Sequence, residues 1–275
     1  MTDLKLPDDE AIYSKQASLI IFNQLGVKVE LENVSNAEYF QWLDQMYSAL
    51  PQAVPGGEIA EKTDARRQPT LNTAIYYDTQ DYQLLATGSL LRTSCNKITH
   101  AFCAFKLAQN KNGVRRDHRH VFDGDDKRAI QQAPDSPEAV AIVRRLLSDV
   151  DKVDNPGKYL LEAYGIRGAQ LSPALRVDNY RYTFYTWLDK RDALRCSLDH
   201  AQVSNLRPAG QKQGEFREVE LSIYPRISPA VAADPRVAQL IRVLEQALQT
   251  SLSAHTTLSI KYQRAAQTLG LSIQN

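Results

Sequence analysis

Residues 216–224 read FREVELSIY and alternate polar with apolar side chains. Glu218 and Glu220 fall on one face of an extended strand, and Val219 and Leu221 fall on the other. Alternation with a period of two predicts a β-strand that is apolar on one face only. Because the apolar face needs a covering layer, we expect the two glutamates to point to the opposite side of a sheet.

The same alternation appears on both sides of this stretch, at residues 27–34, 89–95, 101–108 and 193–203. Further strands are predicted at residues 71–79, 114–122 and 175–188. The polar faces of the alternating strands carry charges of both signs, on Glu30, Glu32, Arg92, Lys106, Arg195 and Asp199. Each strand of a small barrel has one face inside and one outside. We therefore predict an α+β fold, an antiparallel closed β-barrel that forms a tunnel, with helices packed on the outside.

Segments with helical periodicity lie between these strands and after them. Apolar residues recur at helical spacing in residues 8–25, 36–50, 139–150, 159–166, 231–252 and 261–269. Residues 51–69 contain three prolines and two glycines, which predicts a long loop or insertion. The predicted organisation is an N-terminal helical extension over residues 1–26 and a tunnel domain over residues 27–275. That domain contains the insertion at 51–69 and a helical segment at 124–168.

Composition narrows the class of protein. The 275 residues include 33 basic and 32 acidic side chains, a net charge of +1, which does not suggest a strongly basic nucleic-acid binder. The cysteines Cys95, Cys103 and Cys196 match no zinc spacing and are expected to be reduced thiols. The polar, acidic N-terminus is no signal peptide, and the apolar run at 17–22 is too short to span a bilayer. We expect a cytoplasmic protein.

The charged faces suggest a kind of ligand. Buried charges of one sign would repel each other strongly, so a charged tunnel needs both signs or a ligand of the missing sign. The two Glu-x-Glu pairs supply hard oxygen ligands suited to Mg²⁺ or Mn²⁺. Arginine and lysine suit phosphate oxygens. A single Glu-x-Glu pair is more often the solvated face of a sheet, so spacing alone leaves that alternative open.

An ordered set of motifs adds to this pattern. Residues 76–79 read YYDT and are followed by Leu84-Leu85, Gly88 and Leu91-Arg92. In chain order the other members are Glu30-Leu-Glu32, Phe105-Lys106, Arg115-x-Asp117, Tyr180-Arg181, Arg195 to Asp199, Glu218-Val-Glu220, and Ser259-Ile-Lys261-Tyr262-x-Arg264-Ala265. Together they resemble the CYTH superfamily, the triphosphate tunnel metalloenzymes, named for class IV adenylyl cyclases and thiamine triphosphatases. The match spans roughly residues 27–270.

The resemblance implies roles for individual residues. It implies phosphate-binding cations at Arg92, Lys106, Arg115, Arg181, Arg195 and Lys261. It implies ligands for Mg²⁺ or Mn²⁺ at Glu30, Glu32, Asp199, Glu218 and Glu220. It implies catalytic roles for Glu30, Glu32, Lys106 and Lys261. On residues 114–122 the face of Arg115, Asp117 and Arg119 is assigned to the tunnel on motif grounds, and His118 and His120 are expected to face solvent.

The sequence also departs from the family pattern. Val34 stands where the opening motif has a lysine, and Lys28 lies at the other end of the same strand as a possible substitute. Ser94 and Asn179 replace basic positions. These losses weaken the expectation of standard activity more than the expectation of the fold.

The resemblance predicts a metal-dependent phosphohydrolase, a probable triphosphatase, acting on inorganic triphosphate or a triphosphorylated organic molecule. An adenylyl cyclase or a polyphosphate polymerase on the same barrel remains an alternative, as does a non-catalytic protein that binds a phosphorylated ligand. The expected partner is a triphosphate-bearing small molecule or polyphosphate, with no nucleic acid and no membrane. The substrate, and whether the protein is a monomer or a homodimer, stay open.

Overall fold

The computed structural model describes residues 19–23, 26–60, 68–108, 114–151, 155–207 and 212–271, with side chains except those of 19–23 and 114–116. Its strands are β1 (Leu19–Asn23), β2 (Gly26–Leu31), β3 (Gly57–Ile59), β4 (Thr70–Asp78), β5 (Leu90–Cys95), β6 (Ala101–Lys106), β7 (Val114–Val121), β8 (Ser172–Leu188), β9 (Arg191–Asn205), β10 (Gln213–Ile223) and β11 (His255–Thr257). Its helices are α1 (Asn36–Ala53), α2 (Gln83–Ala86), α3 (Gly124–Gln132), α4 (Pro137–Ser148), α5 (Pro156–Tyr164), α6 (Pro229–Ala232), α7 (Pro235–Leu252) and α8 (Lys261–Thr268), with a 3₁₀ turn at Gly168–Gln170.

One antiparallel sheet contains all eleven strands. Its order is β1-β7-β6-β5-β4-β8-β9-β10-β2-β11, and β3 pairs with β8. The α+β class and the large antiparallel sheet are therefore confirmed. The closed barrel is not: among the described residues β1 and β11 are the two edges of the sheet, and hydrogen bonds do not join them.

The start of the chain corrects one prediction. Leu19–Asn23 form a strand paired with β7, where the periodicity predicted a helix over residues 8–25. The run of leucine, isoleucine and phenylalanine suits a pleated strand, so local pattern alone does not separate the two. The rest of the predicted N-terminal helix, residues 8–18, lies outside the described residues, and the boundary at residue 26 stays a prediction.

This short strand also brings distant parts of the sheet together. β1 lies beside β7 at one end of the strand order, whereas β2 lies beside β10 near the other end. Three residue steps separate Asn23 from Gly26, so their Cα atoms lie at most about 11 Å apart. The sheet is therefore strongly curved, with its two ends approaching each other here.

Residues 51–60 form regular structure where a loop was predicted, and residues 61–67 lie outside the described residues. α1 continues through Pro51 to Ala53, and β3 then pairs with β8. The helical segment at 124–168 is confirmed as α3, α4 and α5, and the pattern at 231–252 divides into α6 and α7.

Helices cover the outer face of the sheet in two groups. Trp42 of α1 and Leu244 of α7 pack over β2, β8, β9 and β10, where Val219 and Leu221 are fully buried. α3, α4 and α5 cover β4 to β7 in the same way. Burying these apolar side chains is the main driving force of the fold, and it leaves much of the opposite, inner face for polar residues. On the rest of that face α8 packs against a third apolar cluster, which includes Tyr76 and Phe216. None of the described helices is both long enough and apolar enough to span a membrane.

Candidate functional site

The inner face of the sheet aligns charged residues from five neighbouring strands. In the strand register Arg181 lies opposite Asp199, Asp199 opposite Glu218, Glu218 opposite Glu30, and Glu30 opposite His255. We call these five residues the central row. Side chains directly opposite each other on one face of a sheet are close enough to contact, so the row concentrates three carboxylates on β9, β10 and β2.

Arg181 holds the carboxylate of Asp199 through two hydrogen bonds. Its Nε and Nη2 donate to the two oxygens at 2.7 and 2.6 Å, and Nη2 also lies 3.3 Å from Glu220 Oε2. Burial alone would raise the pKa of the Asp199 carboxyl, but the charges of Lys261 and Arg181 outweigh it and hold that pKa well below its usual value. Asp199 is therefore ionised at any physiological pH.

Helix α8 brings two more cations to the central row. Lys261 Nζ donates to Asp199 Oδ2 at 3.0 Å and to Glu218 Oε1 at 2.6 Å. Arg264 donates to Glu218 Oε2 at 3.1 Å, and its Nε lies 3.1 Å from Glu30 Oε1. Burial would raise the pKa of the Glu218 carboxyl, but the charges of Lys261 and Lys28, with the Lys261 hydrogen bond, together lower it. Residues three apart on a helix share a face, which is why one helix reaches three carboxylates.

The YYDT motif positions this helix. The ring of Tyr76 stacks on Tyr262 of α8 with centroids 4.6 Å apart and planes 3° from parallel. The Tyr262 hydroxyl donates to Asp78 Oδ2 at 2.9 Å. Asp78 also accepts the backbone N–H groups of Leu84 and Leu85 at 2.9 and 3.0 Å. The buried aspartate of the motif therefore joins α2 and α8 to the end of β4.

A second charged group lies on β5, β6 and β7. Lys106 Nζ lies 2.8 Å from Asp117 Oδ2, and Arg119 Nη2 lies 3.2 Å from the same oxygen. Arg92 on β5 donates to the Tyr76 hydroxyl at 3.5 Å. We call Arg92, Lys106, Asp117 and Arg119 the basic lobe. The Tyr76–Tyr262 stack connects it to α8 and so to the central row.

The described residues of the basic lobe carry more positive than negative charge. It sets three cations against one carboxylate. Burial is the main cause that lowers the pKa of Lys106, to about 8, with the neighbouring Arg92 also lowering it and Asp117 opposing. The Nε atoms of Arg92 and Arg119 are buried and donate to no acceptor among the described residues. Buried donors and a predominance of positive charge are features that favour an anionic ligand.

The carboxylates of the inner face match a divalent metal in chemistry, since hard oxygens are what Mg²⁺ and Mn²⁺ prefer. Asp199 and Glu218 already carry close ion pairs, whereas Glu220 is one-third exposed and its ion pair with a described residue is the 3.3 Å contact of Arg181. In the described part of the chain, no group of three or more acidic, histidine or cysteine side chains is arranged to hold a metal ion. The ligand type fits, but ion pairs must open for a metal to be bound.

The structure places most of the predicted residues on the inner face, and three deserve separate mention. Arg195 is half-buried opposite Tyr185 and Ser222, four residues from Asp199 along β9. Glu32 does not join the others, because β2 ends at Leu31 and the alternation ends with it, leaving Glu32 exposed. Arg115 belongs to β7, but its side chain lies outside the described residues.

The register of β7 agrees with the motif. Asp117 and Arg119 share the inner face with Lys106, as the Arg-x-Asp assignment predicted. The other face is not solvent-exposed as expected, because α5 covers it. His118 is buried and stacks on Tyr159, with centroids 3.4 Å apart. His120 is partly buried.

The sequence analysis gave no role to Arg264 or His255, considered Lys28 only as a substitute for the missing lysine, and placed Arg119 on the tunnel face without a ligand. The sequence did contain an indication that Arg264 belongs to the site, because it lies in the closing motif three residues after Lys261. Val34, the position of the missing lysine, packs in the outer core and does not reach the inner face. Lys28 instead lies opposite Glu220 on the inner face, and its charge contributes to the low pKa of Glu218, after that of Lys261.

These observations define a class of protein. It has an α+β fold, and its curved antiparallel sheet carries charges of both signs on the inner face. The solved structure of a putative adenylate cyclase from Bacillus halodurans has this fold, with a TM-score of 0.52 and 14% identity over 89% of this chain and 97% of that chain. The resemblance found in the sequence is thereby matched by a shared fold, and the comparison shows the fold alone.

Two further solved structures align with lower scores. A putative adenylyl cyclase from Hippeastrum, described as having a dominant triphosphatase activity, has a TM-score of 0.47 and 15% identity over 90% of this chain and 98% of that chain. A mimivirus capping-enzyme triphosphatase has a TM-score of 0.32 and 11% identity over 88% and 94%. The fold assignment rests on the Bacillus halodurans structure. No family model matches the chain, and no curated protein matches it in sequence.

Proposed function

We propose that this protein is a phosphohydrolase that binds inorganic triphosphate, or the triphosphate of an organic molecule, on the inner face of its sheet. The observation that carries the proposal is the basic lobe. Two of its three cations pair with its one carboxylate, Asp117, and two buried guanidinium Nε atoms have no acceptor among the described residues. A polyanion with several phosphate oxygens supplies both the missing charge and the missing acceptors.

The cations divide into two groups under this proposal. Arg92, Lys106 and Arg119 hold the phosphates in the ground state, with Arg115 added on motif grounds. Without substrate, Arg181 and Lys261 form ion pairs with Asp199 and Glu218. They therefore bind the phosphates only if these ion pairs weaken or open. Catalysis by such a site is mainly electrostatic, because positioned charges stabilise the charge that develops on transferred phosphoryl oxygens.

We propose Mg²⁺ or Mn²⁺ as the cofactor, held by carboxylates of Glu30, Glu218 and Glu220 with Asp199 beside them. When bound, such an ion neutralises phosphate charge and polarises the phosphoryl group. Glu220 is assigned to orient the attacking water. Its side chain is the most exposed of the four carboxylates, at 34%, and among the described residues its ion pair is the longer contact of Arg181.

One assay tests the proposal. The protein is incubated with Mg²⁺ or Mn²⁺ and either tripolyphosphate, thiamine triphosphate or ATP, and the phosphate, pyrophosphate and cyclic AMP formed are resolved. We expect phosphate release that falls at least tenfold in Arg92→Met and in Glu220→Gln. Arg242→Met, an exposed arginine on α7, is the matched control and should retain activity. Phosphate release that survives in both site variants would refute the assignment of this site.

A second candidate has its own supporting observation. Asp199 and Glu218 are buried and saturated by Arg181, Lys261 and Arg264, which suits a protein that binds a phosphorylated ligand without turning it over. Tight binding of tripolyphosphate with no phosphate release would favour this candidate. Cyclic AMP and pyrophosphate from ATP would instead favour a cyclase, the activity for which the Bacillus halodurans structure is named.

A further inference from the structure

The inner face changes character towards the β8–β9 hairpin. From Arg181 in the central row, the same face of β8 continues through Thr183 and Tyr185 to Trp187, which lies about 20 Å further along at the usual rise of a strand. Tyr185 meets Tyr224 edge to face, with ring centroids 5.9 Å apart. Carboxylates give way to aromatic rings along this path.

A cavity of about 440 Å³ lies at the end of the path. It is lined by Trp187, Lys190, Arg191, Asp192, Arg226 and Ser228. This volume is within the range of small-molecule sites. Lys190 is paired with Glu58, and the two arginines outnumber the carboxylate of Asp192, so an anion is the ligand that the lining charge favours.

The aromatic wall of the cavity is held in place. Trp187 Nε1 donates to Asp192 Oδ1 at 3.0 Å, which fixes the orientation of the indole ring. Lys190 Nζ lies 5.7 Å from the ring centroid, but its side chain is 75% exposed and is also paired with Glu58 at 2.7 Å. A surface lysine of this kind can move aside at little cost, whereas the anchored indole stays as a stacking surface.

We propose that this hairpin cavity, the six lining residues above, binds an aromatic organophosphate, with its ring on Trp187 and its phosphate on Arg191 and Arg226. A planar ring next to two guanidinium groups matches both halves of such a ligand. The ligand is a separate phosphorylated compound, because Trp187 lies about 20 Å along the strand from Arg181, further than a triphosphate on the inner face extends. The proposal concerns binding alone and does not depend on hydrolysis at the central row.

Fluorescence offers a direct test, because the two tryptophans differ in environment. Trp42 is buried in the outer core, whereas Trp187 lines the cavity. We expect AMP and ATP to quench the emission of the full-length protein, and Trp187→Phe to abolish the response. Ribose 5-phosphate lacks the ring, and tripolyphosphate lacks both ring and sugar, so neither should quench comparably.

Arginine variants test the phosphate half of the site. Arg191→Met should weaken AMP binding about tenfold or more, since a charge-assisted hydrogen bond is lost. The control Arg242→Met should bind AMP normally. Quenching by AMP and by ATP should both persist in Arg92→Met, because Arg92 lies on β5 and not among the residues that line the hairpin cavity.

Two results would overturn the proposal. The first is no quenching by AMP or ATP at millimolar concentration in a folded protein. The second is quenching that is unchanged in both Trp187→Phe and Arg191→Met. A thermal melt of each variant establishes that the hairpin substitutions leave the fold intact, and Arg191 is exposed, so its loss should not unfold the protein.

Discussion

The ring of Tyr76 on β4 lies parallel to that of Tyr262 on α8, with centroids 4.6 Å apart. This contact fixes the helix whose neighbouring residues, Lys261 and Arg264, pair with the carboxylates of the central row. A motif that resembles a family signature therefore acts here through packing, since neither tyrosine bears a charge and both are buried.

Removing the Tyr262 hydroxyl should destabilise the protein without removing the stack. In Tyr262→Phe, Asp78 loses one donor in a fully buried site, at a cost of about 1–2 kcal/mol in the free energy of unfolding. Urea denaturation of Tyr180→Phe, at a partly exposed tyrosine, is the control and should show a much smaller change. Equal stability of the two variants would contradict the role given to this hydrogen bond.

Arg264→Met should be strongly destabilising, because it leaves Glu218 and Glu30 each without one cation. Breaking a buried ion pair on one side costs about 3–5 kcal/mol, and the Arg264 side chain is only 8% exposed. Arg236→Met is the matched control: Arg236 also bridges two carboxylates, Asp189 and Asp234, but on the exposed surface, so its loss should matter little. Similar unfolding midpoints for the two variants would count against the buried network.

Stability should fall in acid because of Asp199. Its folded-state pKa is depressed below the ordinary 3.8, so the unfolded chain takes up the proton first. The stabilisation is complete above pH 3.8 and is lost as pH falls below that value, by up to about 1.4 kcal/mol per pH unit for one proton. Asp199→Asn should have a lower free energy of unfolding at neutral pH. Between pH 4 and 2.5 that free energy should also fall less steeply than in the unsubstituted protein, as measured by urea unfolding. If the free energy of unfolding falls equally steeply with pH in both proteins, other carboxyl groups cause the loss of stability in acid.

Tripolyphosphate binding should weaken in alkali through Lys106. Its pKa is lowered to about 8, so above pH 8 the lobe loses one of its cations. Calorimetric titration without added metal should show an affinity that falls by up to about tenfold per pH unit above 8. Lys106→Arg keeps its charge and provides the comparison, since any change in the ionisation of the ligand affects both proteins. Parallel pH profiles for the two proteins would rule out Lys106 as the titrating group.

The local pattern of the sequence predicted most of the strands and the face that each presents. Alternation at Glu218 and Glu220 is a property of neighbouring residues, and a strand has to place them on one side. The same reasoning failed at Leu19–Asn23, where a short apolar run suits a strand as well as a helix, and at Glu32, where the strand ends one residue too early.

The sequence by itself determined the elements, the inner-face charges and the family resemblance. Only the tertiary structure decided which charges meet, that hydrogen bonds leave the sheet open among the described strands, and that α8 neutralises the central row. The physical reason is separation along the chain. Tyr262 contacts Asp78 across 184 positions and Lys261 contacts Asp199 across 62, and no local periodicity encodes pairings at such distances.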